Sequence, residues 1–392
     1  MLSALDLGSS KIKIVLAKES PLELIFKYEV ESEGIRRGVI VDSEKVSSIL
    51  SSLFKKIKEE TGEKVSEVFT CFNGSHLFSL PSKASISVSR ADKKISPEDV
   101  ERVLQAAQEI NLSGNKKAFD FLVKKFIIDG ETEVDDPVGL EGLKLEVEIV
   151  SFCGFYPYLE NHKKSILKSG IEISDIIPSP LASCEAVLTE RDKERGVAVI
   201  DIGASTTSFS IFEEQNLVHF SVLPVGSMNI TNDIAIAFKI DLDLAERIKK
   251  EFGTCSFKGK ETPIKIEIEE GKIFLISKKV LSKVISERMG EIFSQLNQQL
   301  KEIKMEKKLP AGVVLTGGGA KLAKIKDLAQ EKFSLPVRIG KILNCPSLER
   351  ELEYSVCWGL ILYAQKDKER KERFLGQSVL DKIKNFFRIF IP

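Results

Sequence analysis

The segments Asp6-Leu-Gly8-Ser9-Ser10-Lys11 and Asp201-Ile-Gly203-Ala204-Ser205-Thr206 place the same chemistry in each half of the chain: a carboxylate, a glycine turn and hydroxyls. Such a turn can aim backbone N–H groups at phosphate oxygens while the aspartate holds a hydrated Mg²⁺. Either copy alone reads as an ordinary hairpin turn. The repetition carries the weight: opposed across a cleft, the two would clamp a triphosphate from both sides, with Asp6 and Asp201 flanking the metal. A third segment, Val313-Val-Leu-Thr-Gly317-Gly318-Gly319-Ala-Lys321, supplies three glycines after a buried strand. These let the backbone pass close to a flat ligand such as adenosine, and the helix expected beyond them favours anions. The alternative is a plain strand-to-helix loop, which seldom needs three glycines in a row.

Recognisable elements position these segments. Leu2 to Ser10 leading into alternating Ile12, Ile14 and Leu16, and Val197 to Thr206 leading into Phe209 and Ile211, each read as a strand, a tight turn and a return strand. Two such openings predict an internally duplicated α/β protein. Asp42 or Ser43 can cap a helix bearing Val46, Ile49, Leu50, Leu53 and Ile57 that stops at Gly62, and Ser96-Pro97 opens another with Val100, Val103, Leu104 and Ala107 inward. Around this second helix, β stretches at Ala84 to Val88, Lys125 to Ile128 and Leu143 to Val150 predict a small inserted subdomain. Further on, helices are expected over Asp241 to Phe252 and Lys278 to Ile303, and strands over Ile264 to Ile268, Ile273 to Ile276 and Val313 to Leu315.

Composition narrows the setting. A chain of 392 residues with 43% hydrophobic content can fill a core in each of two domains. With 58 basic and 58 acidic residues there is no global field to draw in nucleic acid, so any membrane attraction must be local. The six cysteines form no C-x-x-C pair, which suits neither a disulfide framework nor a zinc site and points to a reducing cytosol. No apolar run approaches the roughly 20 residues that span a bilayer, and the N-terminus has no export signal.

The two Asp-x-Gly hairpins, the triple-glycine loop and helical segments at Pro180 to Leu188 and Tyr354 to Leu362 resemble the actin/Hsp70/sugar-kinase superfamily. Within it, Ser96-Pro-Glu-Asp-Val-Glu-Arg-Val-Leu, Asp136-Pro-Val-Gly-Leu-Glu-Gly-Leu-Lys-Leu-Glu146, Pro180-Leu-Ala-Ser-Cys-Glu-Ala-Val-Leu-Thr-Glu190 and Pro336-Val-Arg-Ile-Gly340 resemble the FtsA family of bacterial cell-division actin homologues over nearly the whole chain. The resemblance implies an actin-like ATPase fold: a first domain over 1–195 with an FtsA-type insert at about 82–150, a second over 196–365, a charged tether over 366–374 and an amphipathic membrane-targeting helix over 375–392. It implies ATP and Mg²⁺ at the two phosphate turns. It also implies that Gly226 lies beside the nucleotide and that Glu246 and Lys249 reach ribose and adenine; without it, this last pair is an ordinary solvated helix pair. The second phosphate turn departs from the family, with Ala204 and Ser205 in place of two glycines and Ser208 in place of an aspartate. Ser179 stands about where related filament ATPases carry a Gln or Glu that orients water, so ATP binding with slow turnover is expected.

In the tail, Val379, Leu380, Ile383, Phe386, Phe387 and Phe390 recur at helical spacing opposite Lys382, Lys384 and Arg388. This suits a helix lying in the membrane interface, the competing reading being a helix docked on its own domain or on a partner. By the resemblance, the protein self-assembles into filaments, binds the C-terminal peptide of the tubulin-like FtsZ with Arg288 among the contacts, and recruits other division proteins at the inner face of the cell membrane. A small-molecule kinase and a PilM-type pilus-assembly homologue are the alternatives on the same fold.

Overall fold

A computed structural model describes residues 1–373 except 90, 91, 261, 262, 270, 271 and 307. The tail residues Val379, Leu380, Ile383, Phe386, Phe387 and Phe390 lie outside the described residues.

The duplication read from the two hairpins is present in the strand order. One sheet runs Glu172–Pro178, Glu67–Phe72, Leu2–Leu7, Lys11–Glu19, Leu22–Glu31, with the first three strands parallel and the last two antiparallel. The second begins Val337–Ile339, Val313–Thr316, Val197–Ile202, Thr207–Glu213, Asn216–Leu223 with the same pattern of directions. Asp6 pairs with Lys13 and Asp201 with Ser208, each one residue pair from the end of its hairpin. The strands Leu2–Leu7 and Val197–Ile202 are buried at every position because parallel neighbours and helices cover both faces.

The insert opens with the strand Phe78–Ser87 and closes with Lys144–Phe155, which pair from Phe78 with Cys153 to Ser87 with Lys144, and Lys116–Ile128 and Thr132–Val134 lie beyond. Helix Pro97–Gln108, closed at its start by a reciprocal Ser96–Asp99 capping box, covers a core of its own containing Val103, Leu104, Phe126 and Val147. Its sheet continues the second sheet through one residue pair, Ser221 with Phe78, reinforced by the Phe220 N–H donating to Ser79 Oγ at 2.9 Å. Strand Lys116–Ile128 starts well before the expected Lys125, because register shifts opposite Glu148/Ile149 and Phe152/Cys153 break the two-residue alternation. The glycine loop also differs from expectation: its last two glycines open a single 3-10 turn, Gly318–Lys321, and the next α-helix starts only at Ile325. No α-helix N-terminus therefore abuts the glycines.

Two helices, Ser179–Val187 and Ser355–Arg373, cross between the halves. Their backbones touch at Gly359, where a Cβ would fall 1.7 Å from the Ala182 carbonyl oxygen. Gly359→Ala is accordingly expected to destabilise by about 3 kcal/mol or more, at the upper end of overpacking costs. Gly62→Ala serves as a control, since it has open space but a φ of +75° and only the strain of that backbone angle to bear. Equal melting temperatures for Gly359→Ala and wild type would show that the helices do not meet there. Among the described residues no helix is long and apolar enough to cross a membrane.

Candidate nucleotide-binding cleft

The two hairpin turns and the glycine loop converge on one cavity of 510 Å³, within the size range of small-molecule sites. Asp6, Gly8, Ser9, Ser10 and Lys11 lie on one wall and Asp201, Gly203, Ala204, Ser205 and Thr206 on the other. Gly317, Gly318, Gly319, Lys321, Glu246 and Lys249 complete the predicted set, and Gly226 alone does not line the cavity. It lies beneath the second turn instead, where a Cβ would come within 2.7 Å of the Gly203 and Ala204 carbonyl oxygens. Those carbonyls accept the N–H groups of Ser227 at 2.9 Å and Met228 at 2.7 Å, which pins the turn to the start of helix Ser227–Phe238.

Charge is concentrated at the hairpin ends. Asp201 is buried, and burial followed by the nearby Asp6 charge pushes its carboxyl up to about 7. Lys13, 3.9 Å from Asp6 Oδ2, faces both aspartates; burial opposes its charge, but Asp6 and its other acidic neighbours outweigh that and raise its pKa. Cys71 Sγ donates to Asp6 Oδ1 at 3.2 Å. Two carboxylates sharing a buried site with one lysine favour a further cation, and Ser205 Oγ is buried without a hydrogen-bond partner among the described residues. This donor set fits a metal-bound phosphate chain. Among the described residues no group of three or more His, Cys, Asp or Glu side chains could hold a metal alone, so an ion here would draw its remaining ligands from phosphate and water.

The glycines divide by function. At Gly317, φ is +81° and a Cβ would lie 2.2 Å from Asp201 Oδ1; at Gly319 it would lie 2.3 Å from Ile202 Cγ2. Both are required by packing against the second hairpin. At Gly318 the nearest atom is Glu353 Cβ at 3.9 Å, so of these three cavity-lining glycines it is the one with room for a side chain.

At the other end, Glu246 Oε2 sits 2.6 Å from Lys249 Nζ, and Lys249 also donates to the Ser227 carbonyl at 3.0 Å and Thr231 Oγ1 at 2.8 Å. Burial lowers the Lys249 pKa against the pull of Glu246, while burial of Glu246 is outweighed by Lys249 and Thr231, and its pKa falls. Lys11 pairs with Glu31 at 2.5 Å and Lys321 with Glu353 at 2.6 Å. Ser179 is buried and does not line the cavity. Arg288 stands elsewhere, with its guanidinium forked onto Asp233 at 2.7 and 3.0 Å and its third nitrogen 2.5 Å from Glu291.

Sequence reasoning missed Lys13, Asn73 and Glu353 in the cavity wall. Lys13 had a signal, a lone cation between Ile12 and Ile14 opposite Asp6 in the hairpin. Asn73-Gly74 reads as a turn, and Glu353 as one charge among many.

A chain of a PilM–PilN type IV pilus biogenesis complex superposes with a TM-score of 0.66 at 17% identity, covering 93% of this chain and 98% of that one. MreB5 of Spiroplasma citri bound to ADP gives 0.59 at 16% identity, covering 95% and 98%. Likenesses at this identity define a class: the chain has an actin-like fold. The family model for cell division protein FtsA matches residues 198–359, and the model for the SHS2 domain inserted in FtsA matches 74–152. Cell division protein FtsA of Pseudomonas aeruginosa is 31% identical across 93% of this chain and 89% of its own length; that of Bacillus subtilis is 30% identical across 95% and 85%. The chain belongs to the FtsA family of cell-division proteins.

Proposed function

We propose that this chain binds Mg-ATP in the cleft, polymerises into actin-like filaments, and tethers FtsZ to the cytoplasmic membrane through its tail while recruiting later division proteins. The observation that supports this most is the convergence of both phosphate turns and the glycine loop on one cavity in a member of the FtsA family. Asp6 and Asp201 would hold the metal, which when bound neutralises phosphate charge. Ser9, Ser10, Ser205 and Thr206 would orient the phosphates, with Gly318 against the adenosine. Ser179 offers no side chain to the cavity, so slow turnover is the expectation. FtsZ's C-terminal peptide would reach Arg288 by displacing Glu291, whose side chain is 51% exposed, rather than Asp233 at 26%.

Self-association is assigned to the insert. Pro81 and Val150 are cross-strand partners, so replacing 82–149 by a two-residue Asn-Gly turn leaves a shorter closed hairpin and removes the insert's separate core as a unit. That variant is expected to melt cooperatively and bind ATP but to form no filaments on lipid; normal filaments by electron microscopy would refute the assignment. The reading as a whole is tested by co-sedimenting the full chain with FtsZ and anionic liposomes in Mg-ATP, where FtsZ left in the supernatant would defeat the tethering role.

A further inference from the structure

Asn73 reaches across the cleft. Its Nδ2 donates to Thr206 Oγ1 at 3.3 Å, and its Oδ1 accepts the Gly74 N–H at 2.7 Å. Gly38 packs on the same dipeptide, since a Cβ there would lie 3.0 Å from Gly74 N and 3.2 Å from Asn73 Cγ, and its own N–H donates to Ser9 Oγ at 2.8 Å. Hydroxyls from both phosphate turns are thus connected to Asn73-Gly74, one directly and one through Gly38.

From there the chain turns at Gly74, with φ at +131°, and enters the insert's first strand at Phe78. Between them, His76 Nδ1 accepts the N–H of Phe155 at 3.2 Å, the last residue of the strand by which the chain leaves the insert. Gly154 makes room for the ring, since a Cβ would stand 3.1 Å from His76 Nδ1. Phe72 and Tyr158 flank it with ring centroids 5.0 Å away. One imidazole, held neutral at pH 7 because burial pushes its pKa down to about 4, therefore ties both ends of the insert together close to the phosphate turns. The insert's sheet meets the second half's sheet in a single residue pair, with Ser79 and Phe152 packed on Phe220 beside it, so the root at His76 and this junction together set its orientation.

We infer that Asn73, Gly74 and His76 form a relay through which the terminal phosphate of a bound nucleoside triphosphate sets the orientation of the insert. The inference rests on the nucleotide reading of the cleft. A phosphate oxygen between Ser9 and Thr206 accepts both O–H groups, which fixes the two hydroxyls and strengthens the bonds they accept from Gly38 N–H and Asn73 Nδ2, whereas a diphosphate leaves the hydroxyls free to rotate. The pull on Asn73 reaches the His76 ring, which packs so closely on Gly74 that a Cβ there would lie 2.8 Å from Nε2, and is delivered through that ring to Phe155. These are positioning residues, acting on the insert and not on the reacting atoms.

The test is hydrogen exchange on the full chain with Mg²⁺ and either a non-hydrolysable ATP analogue or ADP, with calorimetry alongside. In wild type, exchange over 74–78 and 152–156 should differ about tenfold between the two nucleotides, a typical coupling between sites. His76→Phe should lose that difference while holding both affinities within about threefold, and His76→Asn, whose Oδ1 can replace Nδ1 as acceptor, should keep it. Asn73→Ala breaks the relay at its other end and gives the same loss should His76→Phe fail to fold. Identical exchange with both nucleotides in wild type, or a full difference in His76→Phe, overturns the relay. Absence of any nucleotide binding in calorimetry brings down the cleft reading itself, and the relay with it.

Discussion

Gly318→Asp is expected to abolish measurable Mg-ATP binding in calorimetry while leaving the melting temperature close to that of wild type. The two halves of that outcome have separate causes. A side chain at 318 meets nothing nearer than Glu353 Cβ at 3.9 Å, so the fold accommodates it. Its carboxylate then takes the space assigned to the adenosine, beside Glu353. A nucleoside seated there would bury that charge without a partner, and the desolvation of an unpaired ion costs several kcal/mol, about a thousandfold in affinity. Gly317→Ala and Gly319→Ala are poorer probes, because a Cβ there collides with Asp201 and Ile202 and any lost binding reports damaged structure. Unchanged affinity in Gly318→Asp would remove the glycine loop from the site.

Release from anionic liposomes at any salt concentration is the expected result for Phe386→Glu combined with Phe387→Glu. Both residues lie outside the described part of the chain. Full burial of a phenylalanine contributes on the order of 1.5–3 kcal/mol, and Val379, Leu380, Ile383 and Phe390 add to it. Each of Lys382, Lys384 and Arg388 contributes about 1 kcal/mol near an anionic surface. Apolar insertion should dominate, so neutralising the three cations should only weaken binding and flatten its salt dependence. If the charge-neutralised protein detaches while the double-Glu protein stays bound, the tail is an electrostatic patch.

The legible parts of the fold were those whose signal is local. Both hairpins, the Ser96–Asp99 capping box and the Gly62 stop follow from residues a few positions apart. Helix Tyr156–Leu167 gave no such signal, because no side chain caps its start, and helix Ser227–Phe238 begins on Gly226 with Asn229, Thr231, Asn232 and Asp233 interrupting its apolar residues. Strand Lys116–Ile128 hid behind its bulges. In the cleft, residues within the glycine-bearing motifs were visible, whereas Asn73 and Glu353 acquire meaning only when distant segments meet. The junction of the insert with the second sheet depends on one pairing of Ser221 with Phe78, which no periodicity encodes.

The contact of bare backbones at Gly359 and Ala182 also bears on how the halves can move. Helices that pack through long side chains interlock as ridges and grooves, and sliding one past the other means jumping from one groove to the next. Where main chain rests directly on main chain there is no side chain whose rotamer can change to let the helices shift. The crossing therefore acts as a pivot with a fixed axial position, and relative motion of the halves takes the form of rotation about it.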